Sequence, residues 1–277
     1  MRRLIYQVYV GPDSTLYDVC TKSVQDYAER HGLDWVVQNQ PILKIKPDVF
    51  ATNRSQASYE KHGGFLPIYE KENALEYLQG ASTQNYAGEQ YDQVAIIDAD
   101  IYIRPDAPNI FDTFGNDPAT LGSCFAGVLE SEMPLTQEYT KKIHGYSRMQ
   151  YQSLAHQMSL QWNPTTGYPF YNMGMMLLDK SIVKYLKGET PQQFIKRNEF
   201  KDFVDGQGSW KWSTDQTLLN YWLRKYDIPQ QKLEWKWNAL YKGIKDEYIK
   251  DACFIHFFLR DKLPNRGEDI EQFIHEI

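Results

Sequence analysis

The chain has 277 residues, 42% hydrophobic and 24% charged, enough for one large or two small globular domains around a substantial core. Its formal net charge is −6 and it has no long basic run, which argues against a nucleic-acid partner. No apolar run approaches the roughly 20 residues of a membrane span, and Met1-Arg2-Arg3 leads into a stretch too short and polar for a signal peptide.

Residues 4–10 read as a first strand. Gly11-Pro12-Asp13-Ser14 is a turn able to cap a helix, and Leu16, Val19, Cys20, Val24, Tyr27 and Ala28 then recur at helical spacing up to a stop at Gly32. A second strand over 34–37 completes a strand–helix–strand order, which predicts a parallel βαβ unit. Asn53-Arg54-Ser55 and His62-Gly63-Gly64 read as loop. A helix is expected over 67–78 with Ile68, Ala74, Leu75 and Leu78 inward, then a polar loop over 79–90.

Val94-Ala95-Ile96-Ile97 is an apolar run that reads as a buried, parallel strand. Asp98-Ala99-Asp100 follows it directly, where open α/β sheets place their ligand sites. In extended backbone, residues i and i+2 point to one side, so the two carboxylates converge. Like charges that close require a positive partner, and a hard divalent cation is the natural one.

Beyond Pro105 the pattern is less regular. A helical turn is expected over 110–114, strands over 122–129, 174–178 and 253–257, a helix opening at Asp179-Lys180, and a helix capped by Ser213 that carries Leu218, Leu219, Trp222 and Leu223. Residues 131–166 show only weak periodicity. The chain reads as one domain, 1–277, with a nucleotide-binding half over 1–104 and an acceptor-binding half over 105–277. Cys20, Cys124 and Cys253 show no metal spacing and no even-numbered framework, and so read as reduced thiols of a cytoplasmic protein.

Five segments add up in order: Tyr91 to Ile101 around the Asp-x-Asp triplet, Pro169 to Leu178 with Asn172-Met173-Gly174, Ser213 to Asn220 with Asp215-Gln216, Trp235-Lys236-Trp237-Asn238, and Ile255-His256-Phe257 with Lys262. Together they resemble the nucleotide-diphospho-sugar glycosyltransferases of the GT-A fold. The likeness is greatest to glycosyltransferase family 8, that of glycogenin and the bacterial lipopolysaccharide galactosyltransferases. It implies an α/β, Rossmann-like domain whose central, mostly parallel sheet is flanked by helices.

The resemblance also implies roles. Asp98 would touch the nucleotide ribose and the metal, Asp100 and His256 would complete the metal ligands, and Lys262 would hold the diphosphate. Lys71 would reach the donor, Val10 and Gly11 would cradle the base, and Asn172 and Gly174 would lie near the transferred sugar. Asp215 and Gln216 would face its reacting side. The implied cofactors are Mn²⁺ or Mg²⁺, with the mixed carboxylate–imidazole set favouring Mn²⁺, and a nucleotide-sugar donor, a UDP-hexose. The acceptor is a glycan or another hydroxyl compound, and the anomeric configuration is retained. The chain departs from the family pattern after the histidine, where Leu259 stands at a glycine position and Leu263-Pro264 follow the lysine.

Each residue also has a plainer description. Asp-x-Asp is short, His256 between apolar neighbours suits a core, Asp215 at a helix start suits the helix dipole, Asn172 suits a turn, and Lys262 suits a solvated surface. Trp210 and Trp212 suit either core packing or an acceptor platform. Two rival functions remain: a non-catalytic nucleotide-sugar-binding protein of the same fold, and a phosphohydrolase of the haloacid-dehalogenase type, whose Asp-x-Asp strand usually opens the domain.

Overall fold

A computed structural model describes residues 1–80, 88, 90–114 and 122–277. The strands are β1 (Arg3–Val8), β2 (Asp34–Gln38), β3 (Gln93–Ile97), β4 (Ile101–Ile103), β5 (Phe125–Leu129), β6 (Tyr171–Asp179), β7 (Gln230–Leu233), β8 (Ala239–Leu240) and β9 (Phe254–His256). The helices are α1 (Thr15–His31), α2 (Leu75–Gln79), α3 (Gln137–Tyr151), α4 (Pro191–Ile195), α5 (Lys201–Asp205), α6 (Asp215–Lys225) and α7 (Ile270–Phe273).

A six-stranded sheet runs β2–β1–β3–β6–β5–β7. Every neighbouring pair is parallel except the two made by β6, which runs against both β3 and β5. Strands β3 and β5 are buried along their whole length, and β6 in all but its last residue, so the sheet is covered on both faces. A second sheet, β4–β9–β8, stands beyond the end of β3.

The expected βαβ start is present, with β1 and β2 parallel. Gly32 ends α1 at φ 62°, and its amide returns to the Ala28 and Glu29 carbonyls. The start of α1 is held from far away. Ser14 makes no side-chain cap; its hydroxyl donates to Glu268, whose other oxygen accepts the Thr15 amide at 2.8 Å.

The expected helix over 67–78 is a 3₁₀ segment, Pro67–Ala74, followed by α2. Its tighter winding corrects one expectation: Ile68 is 37% exposed rather than inward, while Glu70, Lys71, Glu72 and Asn73 are all buried. Glu70 is satisfied there, because its carboxylate accepts the backbone amides of Ile42, Leu43 and Lys44 and the Gln38 amide. Most of the loop expected over 79–90 lies outside the described residues. The weakly periodic stretch contains the 15-residue helix α3, and the α6 cap is Thr214 rather than Ser213. No helix among the described residues is long and apolar enough to cross a membrane.

Candidate metal and donor site

The reversed strand β6 builds the site. Its pairing with β3 ends at Ile97↔Met175, and the Asp98 amide then donates to the Gly174 carbonyl at 2.8 Å. The first residues of β6 therefore lie beside the carboxyl end of β3. On the other side, the β5 register jumps from Gly127↔Met176 to Val128↔Asn172. That bulge leaves Met173 and Gly174 without β5 partners and frees their polar atoms for the site. The Met173 carbonyl accepts from Lys71 at 2.8 Å, the Met173 amide donates to Gln216 Oε1 at 3.2 Å, and the Gly174 amide donates to Asn172 Oδ1 at 3.0 Å.

The second sheet brings in the histidine. The chain turns at Asp98-Ala99-Asp100 straight into β4, which pairs antiparallel to β9 with Ile101 opposite His256. The Phe257 amide closes the corner on the Asp100 carbonyl at 2.9 Å. His256 Nε2 thus lies 3.2 Å from Asp100 Oδ1 and 3.9 Å from Asp98 Oδ2. Helix α6 is clamped over the edge by buried Asn220, which bonds both the amide and the carbonyl of Tyr171. This clamp sets Asp215 and Gln216 beside Met173.

Lys71 is the cation of the floor. Its ammonium donates to Asp98 Oδ1 and to the Met173 carbonyl, each at 2.8 Å, and forms an ion pair with Asp215 Oδ2 at 2.9 Å. Burial opposes its charge, yet Asp215 and Asp98 together outweigh burial and hold its pKa above the ordinary lysine value. Burial raises the Asp98 carboxyl against the pull of Lys71. For Asp100, His256 outweighs burial and lowers the carboxyl; for His256, Asp100 and then Asp98 outweigh burial and raise the imidazole.

A hydrogen-bond chain orients the imidazole. The Asn172 amide donates to Glu130 Oε2 at 2.9 Å, Asn238 donates to Asn172 Oδ1 at 2.8 Å, and Asn238 Oδ1 faces His256 Nδ1 at 3.0 Å. With the Asn238 oxygen turned toward the ring, Nδ1 carries a proton and Nε2 faces the two aspartates, donating to Asp100 while the imidazole is protonated and free to offer its lone pair to a cation once that proton is lost. Glu130 is buried, which raises its pKa, and Tyr139 bonds its other oxygen at 2.5 Å.

These residues fit a divalent cation. One donor atom from each of Asp98, Asp100 and His256 lies within 4.8 Å of the others, and the donors are two carboxylates and a fixed imidazole. Ligands on adjacent vertices around one small dication are about 3 Å apart, close to the observed 3.2 Å between His256 and Asp100. Gly174 makes this possible, because a Cβ there would stand 2.3 Å from His256 Cε1.

A cavity of about 420 Å³ opens above the floor. Asp98, Asp100, Asn172, Gly174, Asp215, Gln216 and His256 all line it, as do Lys71, Glu130 and the α3 residues Tyr139, Lys142, Ile143 and Tyr146. An adjoining cleft of about 240 Å³ shares Ile68, Lys71, Asp98 and Asp100 and is bounded by Tyr9 and Val10 just past β1 and by Tyr17 on α1. Two expected residues stand apart. Gly11 is exposed and lines neither space. Lys262 lies outside both and shares the Glu138 carboxylate at 3.1 Å with Lys142, which does line the cavity.

Sequence reasoning assigned no role to Glu130, Asn220 or Asn238. Each carried a signal: Glu130 follows an apolar strand directly, as Asp98 does, and Asn220 and Asn238 end two of the segments that carry the resemblance. The asparagines act through partners far away in the chain.

No family model matches the sequence, and no curated protein matches it. Solved structures do. A glycosyltransferase involved in glycosylation of the major capsid of PBCV-1 superposes over 99% of this chain and 100% of its own, at 12% identity and a TM-score of 0.55. An active-site mutant of LgtC covers 91% of this chain and 86% of its own at 12% identity and 0.48. Apo mouse xyloside xylosyltransferase 1 covers 95% and 99% at 13% identity and 0.46. At such identities the first likeness is one of fold. The chain has the GT-A glycosyltransferase fold, with a mostly parallel central sheet flanked by helices, and nothing supports the phosphohydrolase alternative.

Proposed function

We propose that this protein is a metal-dependent glycosyltransferase of the family 8 type. It moves a hexose from a nucleotide sugar, a UDP-hexose, to an acceptor hydroxyl with retention of configuration. The observation that carries the proposal is the convergence of Asp98, Asp100 and His256 beside the buried Lys71–Asp215 pair at the carboxyl end of a GT-A sheet. In this reading residues 1–277 form one domain working in the cytoplasm, with the nucleotide side over 1–104 and the acceptor side over 105–277.

Asp98, Asp100 and His256 would hold Mn²⁺ or Mg²⁺. Bound there, the ion would stabilise the charge that develops on the departing diphosphate as a Lewis acid. The remaining work belongs to the chain. Val10 bounds the cleft that takes the base, and Gly11 is the next residue in the chain, outside that cleft. Lys142 stands on the cavity wall and Lys262 one carboxylate beyond it, so together they supply positive charge toward the diphosphate. Asn172, its amide spent on Glu130, keeps the first turn of β6 open beside the sugar. Gln216 is held by the Met173 amide and directs its side chain at the reacting face, while Asp215, tied to Lys71, sets negative charge where positive charge grows on the sugar.

Calorimetric titration of UDP, GDP and CDP with and without Mn²⁺ tests this. The expected result is tight binding of UDP that vanishes without the metal and in Asp98→Ala. Gln216→Ala is expected to bind donor normally and transfer slowly. No nucleotide binding by the folded protein with metal present would overturn the proposal.

A further inference from the structure

The two tryptophans that flank Lys211 have different fates. Trp210 is half-buried; its indole N–H donates to the Gln150 carbonyl at 3.1 Å and its ring packs edge-on against Phe203. Trp212 is 60% exposed and lines the cavity above the metal and donor site. A large apolar ring left in water forgoes the stabilisation of burial, and such a ring at the rim of a polar cavity marks a place for a ligand.

Its support is built rather than loose. The Arg54 guanidinium donates to the carbonyls of Phe203, Val204 and Ser213, and the Gly208 amide donates to Asn53 Oδ1. The backbone on both sides of Trp212 is thereby fixed to the 53–54 loop. Asp215 and Gln216 follow three and four residues later in the chain and line the same cavity. Across it, Tyr139, Lys142, Ile143 and Tyr146 lie at helical spacing along one face of α3.

An apolar ring beside a polar rim of Thr214, Lys142 and Gln216 matches one class of molecule closely. A pyranose has a face of C–H bonds and an edge of hydroxyls. A nucleobase also stacks, but the proposed function gives the base the adjoining cleft bounded by Tyr9 and Val10, which Trp212 does not line.

We infer that Trp212 is the stacking platform of an acceptor subsite, and that the acceptor is a carbohydrate presenting a pyranose ring. The inference rests on the glycosyltransferase reading and names its acceptor class.

Saturation-transfer NMR on the full chain with UDP and diamagnetic Mg²⁺ tests it, with methyl glycosides of glucose, galactose, mannose and xylose as probes. At least one glycoside receives saturation on its ring C–H protons. Trp212→Ala weakens that binding about tenfold and Trp212→Phe keeps most of it. Trp210→Phe leaves it unchanged. Absence of transfer to every glycoside, or equal transfer in Trp212→Ala, overturns the inference. UDP binding is read in the same samples. Loss of UDP binding sinks the glycosyltransferase reading, whereas bound UDP without bound sugar sinks only the acceptor subsite.

Discussion

At the floor of the cavity, Lys71 has three partners, Asn172 has three, and Asp98 is fixed through both its side chain and its amide. At the rim, Trp212 and Ile68 are exposed side chains on a braced backbone. The contrast follows from burial. A charge taken out of water needs several partners, and once it has them its position cannot be changed without cost. The rim carries no such requirement and is free to vary with the molecule it meets. Substitutions at the floor should therefore damage stability and binding together, and those at the rim binding alone.

Lys71→Met tests the floor most severely. It leaves the buried Asp215 and the partly buried Asp98 without their cation, and urea unfolding should show a loss of about 3 kcal/mol. A loss below about 1 kcal/mol would mean that the ion pairs do not hold the floor.

Asp100→Ala comes next. Mn²⁺ affinity should fall at least about a hundredfold in a calorimetric titration, since one of the proposed ligands is gone. An unchanged affinity would remove Asp100 from the ligand set.

Gly174→Ala separates shape from charge. It removes no polar group, yet its Cβ would meet the His256 ring. Mn²⁺ affinity should fall about tenfold, the effect of disturbing a ligand's support. Wild-type affinity would show that the ring has room to move.

Glu72→Gln is the smallest and has the opposite sign. Glu72 is buried beside Lys71 with neither carboxylate oxygen hydrogen-bonded, and burial, then Asp215, raise its pKa. The folded state therefore keeps this proton longer than the unfolded chain does. Its contribution to stability is complete below the ordinary glutamate value of about 4.3 and is lost as pH rises toward the raised folded value. Glu72→Gln should flatten that decline and stabilise the protein at neutral pH by about 1 kcal/mol. A destabilised variant would show that the charge of Glu72 is needed.

Much of the first hundred residues was legible because local rules apply there. Apolar runs buried on both faces read as strands, Gly32 ended a helix through its left-handed backbone, and a carboxylate pair after a strand marked the site. The segment over 67–78 misled because 3.6-residue spacing was applied to a 3₁₀ segment, which turned Ile68 outward. Helix α3 was not legible because its buried face includes Ser147, Gln150 and two tyrosines, so it shows no simple apolar stripe.

By itself the sequence determined strands β1, β2, β3, β5, β6 and β9, though not the short β4, β7 and β8, together with the βαβ start and the types of side chain that gather at the site. Those follow from periodicity and turn chemistry, which act over a few residues. Only the tertiary structure decided that β6 runs backwards and bulges against β5, that β9 lays His256 on Asp100, and that Lys71 spends its charge inside the protein. Each is a pairing between segments far apart in the chain, set by which arrangement of the whole sheet satisfies the most buried groups, and no local pattern encodes it.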